Sequence, residues 1–443
     1  EINSDKKDLG MMTYSEMERE LNEIPKFGAK ASLSNLSAYL ELANHPERNL
    51  RVIHIAGTNG KGSVCAYLQA MLLADGKKTG MFISPHLEKI NERIVIQGEE
   101  ISDEKFLKAF HFVMDTIKEM KKDGIAHPSY FEFLFGMGMY AFSEADVEYI
   151  ILETGLGGRL DATNSIQHPI MTVITSITLD HTDILGDTIE KIAAEKAGII
   201  KEGIPVVCMG DREYTHVIEK RAEKLQSPCI KISKNAYEII ESTDKYIDFF
   251  SVNAYDKYVT WKLHNSGVYQ VENAMLAIKA LEYLFPEKED MSLWRRALAN
   301  VVWQGRMEEI MPGIVVDGAH NIGAVEAFVK SVKQMKDTKN VILFSSVSDK
   351  DYEKMIQYLC LHMKAECYII TEIPDTRGEE PERLAEVFRK YVKSEVIVEP
   401  DLLKALSCAV EKKGEEGKVY CLGSLYLAGK LKELQGGRKD VKF

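Results

Sequence analysis

The apolar run Val52–Ala56 (VIHIA) ends abruptly in Gly57-Thr58-Asn59-Gly60-Lys61-Gly62-Ser63. Helical spacing then holds from Ser63 to Asp75, and Gly76 stands where a C-cap is expected. A continuous apolar strand is buried on both faces, so it belongs in a sheet covered by helices on each side. The glycines of the loop let main-chain N–H groups turn inward, and the helix N-terminus adds partial positive charge. Together they make a cradle for phosphate oxygens. Lys61 supplies a full charge, and Ser63 a hydroxyl suited to Mg²⁺. The match to GxxxxGK[ST] is inexact: Ile55 holds the first-glycine position, and Gly62 separates Lys61 from Ser63. A Gly-rich turn without ligand is the alternative; the strand–loop–helix setting favours phosphate.

The same alternation runs along most of the 443 residues. Strands are expected at Thr79–Ile83, Val147–Glu153, Met171–Ile177 and Pro205–Met209, and helices at Asp103–Lys122, Tyr130–Phe142 and Thr188–Ala197. The pattern restarts near Ile314, with strands at Ile314–Asp317, Asn340–Ser345, Glu366–Thr371 and Lys418–Leu422. Helical stretches at Ile322–Met335, Asp351–His362 and Pro381–Tyr391 separate them. The expected architecture is α/β: a P-loop NTPase-like, mostly parallel sheet domain over 1–303, then a smaller Rossmann-like domain over 304–443. The boundary falls where VVWQGRM (Val301–Met307) leaves the preceding helix. Asp244–His264 alternates and carries aromatics, as a small β insertion would.

Composition restricts the partners. A chain 45% hydrophobic and 28% charged is not largely disordered. The net charge of −12 argues against non-specific nucleic-acid binding. No apolar run approaches the roughly 20 residues of a membrane span. The seven cysteines are scattered and never spaced CxxC, so they read as small thiols in a reducing cytoplasm rather than as disulfides or a zinc site. Glu1–Leu9 is polar and lacks the apolar segment of a signal peptide.

Further motifs follow the phosphate loop in order. They are Ser84-Pro85-His86-Leu87, Glu92-Arg93-Ile94, Glu153-Thr154-Gly155-Leu156-Gly157-Gly158-Arg159-Leu160-Asp161-Ala162-Thr163-Asn164 and Asp180-His181 with Leu185-Gly186. Glu195-Lys196-Ala197-Gly198, Asp317-Gly318-Ala319-His320-Asn321 and Gly423-Ser424-Leu425-Tyr426 complete the set. Each is weak alone. Jointly, and over nearly the whole chain, the set resembles folylpolyglutamate synthase and dihydrofolate synthase, which belong to the Mur-ligase superfamily of ATP-dependent amide-forming enzymes.

Several residues acquire expected roles from that resemblance, each beside a plainer reading. Glu153 ends an apolar strand, where a carboxylate suits Mg²⁺; alone it would be a surface Glu at a strand end. The resemblance implies Ser84, Glu153 and His181 as magnesium ligands, though His181 alone reads as a hydrogen-bonded loop residue. Lys196, near a helix C-terminus, would by default face solvent; the resemblance implies a carbamylated lysine, whose anionic oxygens suit a cation that an ammonium would repel. Asn273, otherwise a helix cap, is placed against the nucleotide, and Arg306, otherwise a linker arginine, is placed on ATP phosphate. Asp317 is implied to contact nucleotide, and His320 to assist the incoming glutamate. Ser424, also readable as an N-cap, matches a glutamate-binding position. Ser129-Tyr130-Phe131-Glu132 and Leu160-Asp161-Ala162 resemble the pterin-side substrate segments, although core packing explains Tyr130 and Phe131 equally well.

The implied activity is ATP-dependent addition of L-glutamate through an acyl phosphate, with reduced folate, dihydropteroate or both as the acceptor. A monomer without nucleic-acid or membrane partner is expected. One rival is a cell-wall Mur ligase acting on a UDP-linked peptide; the roughly 50 residues ahead of the loop fall short of a UDP-binding domain of ordinary size. A nucleotide switch is another rival, for which a second α/β domain with DGAH at a strand end is superfluous. A structural module with an empty loop is the third, and the joint presence of Lys61, Glu153 and His181 counts against it.

Overall fold

The computed structural model describes residues 12–25, 33–252, 258–335, 339–373 and 377–436. Glu1–Leu9 and part of the Asp244–His264 stretch lie outside them. The larger sheet has eight strands in the order Glu99–Glu100, Ile94–Ile96, Thr79–Phe82, Tyr149–Glu153, Arg51–Ala56, Met171–Ile174, Val206–Met209, Cys229–Ile232. Its six inner and right-hand strands run parallel. Ile94–Ile96 and Glu99–Glu100 form an antiparallel hairpin on one edge. Period-two alternation divides each central strand between two cores. Ile53, Ile55, Ile151 and Val173 pack with Leu68, Met71, Leu276 and Trp294 on one side. Val52, Ile150 and Leu152 pack with Phe106, Phe110 and Phe133 on the other. Each such buried side chain contributes roughly 1.5–3 kcal/mol. His54, the buried polar residue of the first strand, is wholly enclosed and bonds Thr163 Oγ1 through Nε2 at 2.7 Å.

The expected β insertion is a three-stranded antiparallel sheet of Tyr237–Ser242, Ile247–Val252 and Tyr258–Leu263. Its Phe249 and Trp261 enter the first core, ahead of the helix Tyr269–Leu284. The smaller sheet has six strands in the order Glu308–Met311, Ile314–Val316, Lys418–Leu422, Asn340–Phe344, Cys367–Ile370, Glu395–Val398. Only Glu308–Met311 pairs antiparallel. Fold class is therefore as expected, a large mostly parallel sheet unit followed by a smaller α/β unit. The edge strands Cys229–Ile232 and Glu395–Val398, and the antiparallel hairpin, are additions to the sequence reading. All seven cysteines are free; four are buried and three partly so. Among the described residues no helix is long and apolar enough to cross a membrane.

Candidate active site

C-terminal strand ends of both sheets open onto one crevice of about 1330 Å³. This is where open α/β sheets hold ligands. On the larger lobe, Gly57–Ser63 follows the strand Arg51–Ala56 and enters the helix Lys61–Ala74. Gly60 has φ 89°, and a Cβ there would lie 2.3 Å from Asn273 Oδ1, so glycine meets both the left-handed turn and the close approach. The loop is braced from behind: Thr58 N–H donates to Ser176 O at 2.7 Å, and Thr175 Oγ1 donates to Asn59 O at 2.7 Å.

Lys61 Nζ lies 3.8 Å from Glu153 Oε1 and 3.3 Å from Thr58 O. Glu153 is buried, and its Oε2 accepts the Ser84 N–H at 3.0 Å. Burial pushes its pKa up, with the Lys61 ammonium as the main opposing charge. Ser63 Oγ is buried without a hydrogen-bond partner. An orphaned hydroxyl and a buried carboxylate lining one crevice are a donor set that suits a hard cation such as Mg²⁺. His181 sits at φ 50°, a conformation uncommon outside glycine, and lines the same crevice. Among the described residues no three His, Cys, Asp or Glu side chains converge closely enough to hold an ion by themselves. Lys196 does not face solvent. It is buried, its Nζ donates to Gly57 O at 2.7 Å, and burial, with Lys61 adding repulsion, brings its pKa down to about 7.

The smaller lobe contributes Asp317, Gly318, Ala319 and His320 from the turn after Ile314–Val316. Asp317 is fully engaged: Oδ2 accepts from Tyr269 Oη at 2.7 Å and Met307 N at 3.0 Å, and Oδ1 from Ala319 N at 2.8 Å. The Arg306 guanidinium approaches so closely that a Cβ on Gly318 would meet its Nη1 at 2.3 Å. His320 Nδ1 bonds Gly318 O at 2.8 Å, so Nδ1 carries the proton and Nε2 is left as an acceptor. Burial and then Lys350 pull its pKa down to about 4. Ser424 is buried and caps the last helix, accepting from Tyr426 N at 3.1 Å.

Direct contacts join the lobes across the crevice. Asn59 and Asn321 exchange amide hydrogen bonds at 3.0 and 2.9 Å. Asp180 accepts from Lys350 Nζ at 2.6 Å and Asn321 Nδ2 at 3.0 Å. Burial opposes the Asp180 charge, but Lys350, His181 and His320 outweigh it and hold the pKa at about 2.

Gly57–Ser63, Ser84, Glu153, His181, Lys196, Asn273, Arg306, Asp317, His320 and Ser424 thus line one cavity. The segments expected on the pterin side do not line it. Ser129 and Glu132 close a capping box on the helix Tyr130–Glu144. Phe131 packs on Phe82 with ring centres 5.7 Å apart, and Tyr130 lies under the Arg93 guanidinium at 5.8 Å. Leu160 is exposed. Asp161 is buried, its carboxylate accepting from Leu156 N, Thr163 N and Thr163 Oγ1, and Ala162 is buried beside it. Sequence reading named His86 and Asp180 only inside longer motifs and Lys350 not at all, and all three line the cavity. For Lys350 a signal existed, since Ser348-Asp349-Lys350 follows a strand of a parallel sheet at its ligand-binding end.

Comparison with known proteins matches both lobes of the chain. Residues 55–281 match the Mur ligase middle domain, and 305–425 the Mur ligase glutamate ligase domain. The chain is 34% identical over 418 residues to the dihydrofolate synthase/folylpolyglutamate synthase of Bacillus subtilis, covering 92% of this chain and 96% of that one. Mycobacterium tuberculosis folylpolyglutamate synthase complexed with ADP superposes with a TM-score of 0.85 at 27% identity, over 96% of this chain and 98% of that one. E. coli FolC in complex with DHPP and ADP gives 0.83 at 25%, over 97% and 99%. The chain belongs to the Mur ligase family, in its branch of folylpolyglutamate and dihydrofolate synthases, the ATP-dependent ligases that join glutamate to folates.

Proposed function

We propose that this chain phosphorylates the carboxylate of a folate with ATP and hands the activated acyl group to the amine of L-glutamate, and that dihydropteroate is a second acceptor. The observation carrying this reading is that a phosphate loop and the strand-end turns of a second lobe share one crevice. A carboxylate does not condense with an amine at neutral pH because its oxygen leaves poorly. Transfer of the γ-phosphoryl forms a carboxyl O–P bond as the P–O bond to ADP breaks. The neutral amine nitrogen of glutamate then forms the C–N bond, phosphate departs with the electron pair of the broken C–O bond, and the surplus proton on nitrogen leaves with the phosphate. Lys61, the loop N–H groups and Arg306 would stabilise charge on the transferring phosphoryl. Asn273 borders the nucleotide, and Asp317 holds Tyr269 and the Met307 main chain so that Arg306 faces the crevice. Ser424 and the Nε2 acceptor of His320 face the incoming glutamate. Tyr130 and Phe131, with their neighbours in 129–132 and 160–162, would shape the pterin side from behind the crevice wall.

Ser63, Ser84, Glu153 and His181 would hold Mg²⁺, which supplies neutralisation of phosphate charge. Lys196, with a pKa near neutrality, carries a fraction of nucleophilic neutral amine, the form that carbamylation requires. Carbon-13 bicarbonate labelling with NMR detection reads that adduct directly. We further place the domain boundary between 303 and 304, and the protein in the cytoplasm as a monomer. The decisive experiment offers ATP, Mg²⁺ and labelled glutamate with tetrahydrofolate or dihydropteroate and identifies conjugates by mass. ADP release that ignores both glutamate and the acid substrate would refute the ligase reading.

A further inference from the structure

The loop between Thr79–Phe82 and Ile94–Ile96 is held unusually firmly. The Glu92 carboxylate accepts the main-chain N–H groups of Leu87, Glu88 and Lys89 at 2.7, 2.7 and 2.6 Å. Leu87 abuts the smaller lobe, where a Cβ on Gly429 would come 2.3 Å from its carbonyl. Within this frame Arg93, buried in the short turn Ile90–Arg93, donates its Nε–H to His86 Nδ1 at 2.8 Å. A guanidinium has no acceptor atom, so Nδ1 must be the unprotonated nitrogen. The single ring proton is therefore on Nε2. Since Arg93 occupies the Nδ1 side, the Nε2 edge is the one left for the cavity that His86 lines.

His86 stands two residues after Ser84, whose N–H is held by the Glu153 carboxylate, and bonds Arg93, whose guanidinium lies over the Tyr130 ring. We propose that His86 donates its Nε2–H to the reacting carboxyl group of the acid substrate, and that Arg93 is the positioning residue that fixes this tautomer. The inference rests on the ligase reading above. A neutral donor suits both steps. It leaves the carboxylate nucleophilic towards the γ-phosphorus, and it strengthens as negative charge gathers on the carbonyl oxygen during amine attack. His86 releases no proton; the electron pair returns from oxygen to carbon as phosphate leaves.

The test compares wild type with His86→Leu, His86→Gln and His86→Asn in the full chain. Glutamate-dependent ADP release is measured once with tetrahydrofolate varied at saturating ATP and once with ATP varied at saturating tetrahydrofolate. A Gln amide reaches the Nε2 position, whereas an Asn amide reaches only the Nδ1 position. His86→Leu is expected to lose about 100-fold in kcat, the effect of removing one transition-state donor, while KM for ATP stays within about twofold. His86→Gln recovers at least about tenfold of that loss and His86→Asn does not. Equal activity in the Gln and Asn variants, or His86→Leu within about threefold of wild type, overturns the proposal. Nitrogen-15 imidazole shifts of the wild-type protein must also show His86 protonated at Nε2; protonation at Nδ1 overturns it whatever the variants do. Wild type inactive with every acid substrate would instead remove the ligase reading itself.

Discussion

The two turns that face each other across the crevice are built on opposite plans. Gly57–Ser63 leaves polar atoms without partners: Ser63 Oγ is buried and unbonded, and Lys61 makes only long contacts to Glu153 and Thr58. Asp317–Asn321 leaves almost none, since the Asp317 carboxylate takes three donors, His320 Nδ1 is tied to its own turn and Asn321 bridges to Asn59 and Asp180. One turn keeps capacity for a ligand; the other holds the hinge and the neighbouring lobe in place. Residues of similar polarity therefore fail in different ways when removed.

Lys61→Ala should break the chemistry and spare the fold. The expected loss in kcat is about 1000-fold, in the range of a removed transition-state charge partner, with a thermal midpoint close to wild type by calorimetry. Asp317→Ala should instead act first on the fold, with any loss of activity following from the displaced Arg306. It leaves Tyr269 Oη and two main-chain N–H groups unpaired in a buried setting, at roughly 1–3 kcal/mol per group; a midpoint unchanged by calorimetry would contradict the contrast. Asp180 sharpens it through pH. Its folded pKa of about 2 lies below the ordinary 3.8. The stabilisation is thus complete above pH 3.8 and disappears as pH falls towards 2. That shift corresponds to about 2 kcal/mol, so in denaturant titrations Asp180→Asn should lose that much near pH 6 and little near pH 2. Asn59→Ala, which removes one half of a neutral amide pair, should cost least, about 1 kcal/mol, read as a few-fold rise in KM for ATP.

The phosphate loop was legible because its chemistry is local. Glycines, a lysine and a strand–helix junction sit within seven consecutive residues, Gly57–Ser63. Glu153 was legible for a related reason, as a carboxylate ending an apolar strand. Cys229–Ile232 and Glu395–Val398 were not, because each offers at most three consecutive apolar residues and lies only partly buried at a sheet edge, with no turn glycines to frame it. Lys350 and Asp180 pair across 170 positions of sequence, and nothing local marks either as half of an ion pair. Ser129 and Glu132 show the converse difficulty. The S-x-x-E spacing is a capping signature in its own right, and in the folded chain both side chains serve the helix start. Lys196 reads as a solvent-facing helix-end residue until the fold tucks its ammonium under the Gly57 carbonyl.

The reciprocal amide contact between Asn59 and Asn321 ties one residue of the phosphate loop to the first residue of the opposite turn's helix cap. Because neither partner carries charge, the link depends less on ionic strength than the Asp180–Lys350 ion pair beside it, to which Asn321 Nδ2 also donates. Any shift of Asn59 on loading the loop is felt at once by Asn321, and through it by the helix Ile322–Val332. Occupancy on one side is thereby reported mechanically to the other, without drawing on the electric field that the phosphates themselves need.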